Sequence, residues 1–351
     1  MVAIALVPLL VLSLLQGLAL NFSAAVPLVL DFPVSLRFLI VAPLLIAGTR
    51  RLEAMTALAL RHLAQSELIA EADRPRLASV AAQIAALRQS PFAQAAIVAI
   101  VVAGVVFLRI EVLDPFSTWQ FVPDPGGVIR SWAGWWYVCA SLPLFQFVAL
   151  TWLWHYLLRC WLLWRISRLD LKLMPTHPDR AGGLGFIGLL LRNLLPTLFA
   201  LEVLPAALFA QEILSLGTKL ADYETSIIGL VAIGAIMVLA PPVVFRTKLV
   251  RTRGEGMLEY GALAMEYTRA FDRKWLRSRV ENEALIGSAD IQSLADMANS
   301  FQTLRSMRVV PYDVRYMAAL MICAAAAPYL PLSLFMLPLR EIVKALLGIL
   351  F

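Results

Sequence analysis

The sequence predicts an all-α integral membrane protein, and three observations lead there. Apolar residues make up 60% of the 351 positions and charged residues only 15%, far from the balance of a soluble domain. Several runs of about 18 or more residues carry almost no charge, enough for a helix to cross a bilayer. The Lys and Arg residues gather in only three of the connections between these runs.

Taken in order, seven transmembrane helices are expected near residues 2–20, 34–48, 91–109, 135–160, 184–214, 226–245 and 313–333. The N-terminal run lacks a basic flank and an A-x-A cleavage site, so it reads as a retained first helix rather than a signal peptide. Trp132, Trp135 and Trp136 open the fourth span and Trp161 and Trp164 close it, as interfacial anchors do. The last segment, 334–351, is apolar but holds Arg340, Glu341 and Lys344, and reads as a membrane-associated or eighth helix.

The basic connections are 49–90, 161–183 and 246–312, whereas the other loops lean acidic through Asp31, Glu111, Asp114, Asp124, Asp222 and Glu224. The positive-inside rule puts the basic connections and the N-terminus in the cytoplasm. The net charge of +6 is therefore assigned to orientation and not to nucleic-acid binding. Cys139, Cys160 and Cys323 lie in apolar runs without C-x-x-C spacing and are expected to be buried, inert thiols.

The connection 49–90 and the segment 246–312 each read as a cytoplasmic helical hairpin. Leu68–Arg88 and Leu285–Arg305 align without a gap, with Leu68, Ile69, Ala72, Asp73, Leu77, Ala78, Ala81, Leu87 and Arg88 meeting identical residues. Upstream, Ile40–Arg50 aligns with Val238–Lys248 through an Ala-Pro pair and a Thr-basic exit. Two matches in the same order imply a parallel internal repeat, 1–183 and 184–351, of four helices each. In the second hairpin Ile291, Leu294, Met297, Phe301, Leu304 and Met307 share one helical face, suited to packing or to docking a partner protein.

One stretch between the repeats is chemically distinct: PTHPDRAGGLGF, Pro175–Phe186. Asp179 can cap the helix that follows, and glycines permit close backbone approach. Two readings stand. One is helix initiation with Arg180 reaching lipid phosphate. The other is an anion or headgroup site formed by His177, Asp179, Arg180, Gly182 and Gly183 at a helix N-terminus. The glycine spacing is not that of a P-loop, and no cluster suggests a metal or a catalytic group. The segment SRLDLKLMPTHPDRAGGLGF, with VSLRFLIVAPLL and SADIQSLADMANSF, resembles an uncharacterised family of bacterial multi-pass inner-membrane proteins. That resemblance implies a location in the bacterial inner membrane.

Polar residues inside spans are functional candidates by default. Arg37 and Glu202 reach similar outer depths, where they can meet, and Asp31 is a local alternative partner for Arg37. His155, Arg192 and Asn193 lie nearer the inner face, with Arg192 expected to face the bundle. Pro196, Pro205 and Pro241–Pro242 free backbone carbonyls, so the fifth span is expected to line a pore or cavity. The function expected is a membrane channel or transporter, in a homo-oligomer and without a cofactor, with arginines and a helix N-terminus on the inner side favouring anions. The alternatives are a lipid- or phosphate-handling membrane protein, including an enzyme using His177 and Asp179, and a scaffold whose hairpins hold a partner.

Overall fold

The computed structural model describes residues 1–19, 26–108, 118–124, 127–277 and 288–336. Six helical stretches are long and apolar enough to cross a membrane: Phe32–Gln65, Glu71–Val106, Trp132–Ser167, Phe186–Leu216, Leu220–Leu239 and Val314–Leu334. The expected first span is shorter. Helix α1, Val2–Leu15, has 14 residues and stops where Gly17 turns left-handed at φ 69°. At 1.5 Å per residue it covers about 21 Å, less than a bilayer core of about 30 Å. Most of the expected C-terminal segment, 337–351 with Arg340, Glu341 and Lys344, lies outside the described residues.

Helix α2, Phe32–Gln65, runs through the expected second span and on into the first basic connection. It is wound as a π-turn over Arg37–Val41, just before the Ala42–Pro43 pair. A short loop leads to α3, Arg74–Arg88, and then to the return span α4, Pro91–Leu108. Helix α5, Trp132–Ser167, repeats the irregularity of α2, with a π-turn over Tyr137–Ser141 followed by Leu142–Pro143. The proline lacks an N–H, so the helix is most easily rewound just ahead of it. Ser141 uses its hydroxyl to bond the Ala5 carbonyl, 2.8 Å away, and ties α1 to this turn.

The next span is broken. Helix α6, Phe186–Arg192, ends in a turn at Asn193 and Leu194, and α7, Leu195–Leu216, restarts with Pro196 in its first turn. Helix α8, Glu224–Leu239, leads through a 3₁₀ segment at Pro241–Phe245 into α9, Arg246–Phe271. Helix α10, Ala289–Arg305, and α11, Val314–Ala326, follow, and the chain continues as a 3₁₀ helix over Ala327–Met336. One element departs from the all-α expectation: a two-stranded hairpin, β1 Phe121–Asp124 with β2 Gly127–Arg130, in an acidic loop.

Large apolar side chains such as Ile228, Ile233, Ile236 and Leu208 are exposed on the outside of the spans, as a lipid-facing surface requires. Cys139 and Cys323 are exposed too, not buried as expected, and all three cysteines are free thiols. Trp132, Trp135 and Trp164 lie on the surface of α5, and Arg168 stacks over Trp164 at 5.3 Å. The carbonyls freed at Pro241–Pro242 are not open to an ion. Tyr156 donates to the Met237 carbonyl at 2.5 Å and Tyr312 to that of Leu239 at 2.7 Å.

Candidate functional site

The Pro175–Phe186 loop folds around a carboxylate of its own. Asp179 accepts backbone N–H bonds from Ala181 at 2.8 Å, Gly183 at 3.2 Å and Gly185 at 2.8 Å. His177 Nδ1 stands 2.8 Å from the same carboxylate. Burial pushes the Asp179 carboxyl up, but the three N–H donors and His177 outweigh it and hold the group below the ordinary carboxylate range. The N–H groups that an external anion would need are thus engaged by a side chain six residues or fewer away.

The loop and the residues just ahead of it, Leu169–Lys172, together join both hairpins. Lys172 N–H donates to Leu68 O at 2.8 Å and Ala70 N–H to Asp170 O at 3.1 Å, a short β-bridge to the first hairpin. Asp73 accepts from Asp170 N–H at 2.6 Å. On the other side Arg308 N–H donates to Arg180 O at 2.7 Å. Lys248, at the start of α9, donates to the Leu169 carbonyl. Arg180 itself is exposed, and its guanidinium has no hydrogen-bond or ion-pair partner among the described residues. Its backbone is left-handed, φ 55°, a conformation that costs a non-glycine residue about 1–2 kcal/mol. Arg180→Gly is therefore expected to leave thermal stability unchanged or raise it, by less than about 1 kcal/mol once the extra unfolded-state freedom is offset. A marked drop in melting temperature would assign the arginine side chain a structural contact.

The intramembrane candidates separate. Arg37 donates to the Tyr137 hydroxyl and lies over the Phe145 ring at 5.5 Å. Glu202 is buried and accepts from the Tyr329 hydroxyl at 2.7 Å. No ion pair joins Arg37 and Glu202, so the two do not meet as their similar depths allowed. Asp31 instead caps Val34 N–H and accepts the Trp119 indole N–H at 2.8 Å. Arg192 does not face the bundle: it is exposed, 5.0 Å over the Tyr316 ring, and Asn193 bonds back to the Leu189 carbonyl. Both sit at the break between α6 and α7, where the helix ends rather than turns inward.

His155 leads to a site that the sequence reading did not name. Thr151, His155 and Arg159 recur every four residues on α5 and so share a face. Each carries a buried polar atom without a hydrogen-bond partner among the described residues: Thr151 Oγ1, His155 Nδ1, and both terminal nitrogens of Arg159. Gln146 Oε1, further along α5, is another. Arg159 is only 6% exposed. His155 Nδ1 lies 3.6 Å from Glu53 of α2, and Arg88 of α3 lies 3.9 Å from the same carboxylate.

These residues border two adjoining cavities. One, about 200 Å³, lies between α2, α3 and α5 and has Arg159, His155, Glu53 and Arg88 in its wall beside Leu52, Ile84 and Leu158. The second, about 370 Å³, shares Glu53, Arg88 and His155 and adds Gln89, Gln94 and Thr151. The groove beside α7 is a different kind of space, walled by apolar residues such as Phe199, Ala206 and Pro331. At this groove the fifth span presents apolar side chains. Comparisons with protein families, with curated proteins and with solved structures find no match. Among the described residues no cluster of His, Cys, Asp and Glu is suited to a metal ion.

Proposed function

We propose that this chain is an anion channel or transporter of a bacterial inner membrane, which receives its anion at Arg159 from the cytoplasmic side. The observation that supports this reading is the guanidinium itself. A buried cation whose terminal nitrogens have neither counter-ion nor hydrogen-bond partner among the described residues is costly, and such groups inside spans mark substrate or ion pathways. The face of Thr151, His155 and Arg159 extends about 12 Å along α5 at 1.5 Å per residue. It offers polar atoms from the middle of the span to its basic end. The lipid- or phosphate-handling alternative drew on Pro175–Phe186, where Asp179 now engages the donors.

Element order supports the parallel repeat. In both halves a descending helix interrupted near an Ala-Pro pair continues past the membrane, followed by a shorter helix and a return span. Asp73 and Asp290, aligned in the sequence, both hold neighbouring groups at the start of that shorter helix; Asp290 accepts from Lys274 at 2.7 Å and from the Trp275 indole at 3.0 Å.

Orientation is tested with single cysteines in a cysteine-free background. An impermeant thiol reagent applied to intact cells is expected to label a cysteine at Lys219 and to spare those at Ser79 and Asn299. The reverse pattern would invert the protein. The role of Arg159 is tested by Arg159→Met, which removes the buried charge and keeps most of the volume. Unliganded protein in neutral detergent should melt higher than wild type, by an amount equivalent to about 1–4 kcal/mol. Across a panel of inorganic and organic anions, stabilisation should be lost in the variant. A lower melting temperature with anion effects retained would mean that Arg159 is a structural group.

A further inference from the structure

The chamber at Arg159 differs from a site built for a hydrated inorganic anion. Its wall is mostly apolar, with Leu52, Leu60, Ile84 and Leu158 lining the same space as Arg159. The Thr56 hydroxyl, also in the wall, is already spent on the Leu52 carbonyl at 2.7 Å. Phosphate or sulfate would lose its water there and regain few donors, a loss that apolar walls do not repay. A guanidinium presents a planar fork of N–H groups that matches a carboxylate in bidentate fashion. Charge points the same way: Arg88 and Arg159 against Glu53 leave one net positive charge when His155 is neutral, the complement of a monoanion. Size sets the body of the ligand. The space of about 200 Å³ exceeds the roughly 150 Å³ of an apolar cavity known to hold benzene. The second cavity, with Gln89, Gln94 and Thr151, gives the polar group a wetter approach past Glu53 and His155.

We infer that this chamber binds a monocarboxylate with a compact apolar body about the size of benzoate, its carboxylate on Arg159 and its body among the apolar residues of α2, α3 and α5. The inference rests on the proposed anion reading and narrows it to one ligand class. Binding is measured by thermal shift on the full-length protein in neutral detergent, titrating benzoate, cyclohexanecarboxylate, benzamide, phosphate, sulfate and dodecanoate. Benzoate and cyclohexanecarboxylate are expected to stabilise wild type, and benzamide, phosphate and sulfate are not. Arg159→Met should weaken the benzoate effect by about tenfold or more, and Arg159→Lys, which keeps charge but loses the fork, by a smaller factor. Ala81→Phe, which fills the chamber and leaves Arg159 in place, should abolish it. Arg159-dependent stabilisation by phosphate or sulfate, with none by benzoate, overturns the monocarboxylate inference and leaves the anion reading standing. Stabilisation by dodecanoate but not benzoate overturns the compact body and assigns the site to a membrane-derived chain. If no anion acts through Arg159, both fall.

Discussion

Asp179→Ala is expected to lower the unfolding free energy by about 3 kcal/mol or more, the cost of leaving three partly buried N–H groups without their charged acceptor. The N–H groups of Ala181, Gly183 and Gly185 lie within a loop that touches both hairpins, so their loss should loosen the whole basic end. Thermal or denaturant unfolding in detergent measures the effect. Asp179→Asn keeps one acceptor oxygen and should fall between. The pH dependence has a definite sign. A carboxyl held below its unfolded value contributes stability that is fully present above that value, about 3.9 for aspartate, and is lost as pH falls through the folded value. The difference between wild type and Asp179→Ala should therefore stay constant from pH 8 to about 5 and shrink only below about 4.

Gly183→Ala should be nearly as damaging, for two separable reasons. Gly183 has φ 97°, where an L side chain is strained, and a Cβ there would stand 2.4 Å from Leu68 Cδ2. Backbone strain of about 1–2 kcal/mol adds to overpacking of about 1–3 kcal/mol. The pair Gly183→Ala and Leu68→Ala separates them. The double variant should recover the packing part and keep the backbone part, so the cycle should show a coupling of about 1 kcal/mol or more. Simple additivity would mean that Leu68 is free to move aside.

Apolar runs made the spans legible, and basic connections marked one end of the molecule, because bilayer thickness and charge asymmetry act on composition alone. The expectation that Asp179 caps the following helix is met only at its threshold: it accepts from Gly185 N–H at the N-cap position, while the helix from Phe186 has no side-chain cap. The three-fold bonding of Asp179 was not legible, since it depends on the left-handed turns at Arg180, Gly182 and Gly183. Arg159 escaped notice because the fourth span was expected to stop near residue 160, where an arginine reads as an interfacial charge. The helix instead runs to Ser167 and buries Arg159 against α2 and α3. The spacing of Thr151, His155 and Arg159 was the available signal. Arg192 erred the other way, placed inside by its sequence depth and turned outward by the helix break at Asn193.

The bonds of the Pro175–Phe186 loop also impose an order on synthesis. Its own nest, and the bridge from Asp170 and Lys172 just ahead of it to Leu68 and Ala70, use residues already made when the loop emerges. Its second attachment waits for Arg308. At roughly 5–20 residues per second, the stretch from Arg180 to Arg308 takes on the order of 6–25 s to make. For that interval the nascent chain holds its first hairpin against a finished socket, and the face that will take Met307 and Arg308 stays uncovered. The later hairpin arrives at a surface already shaped to receive it.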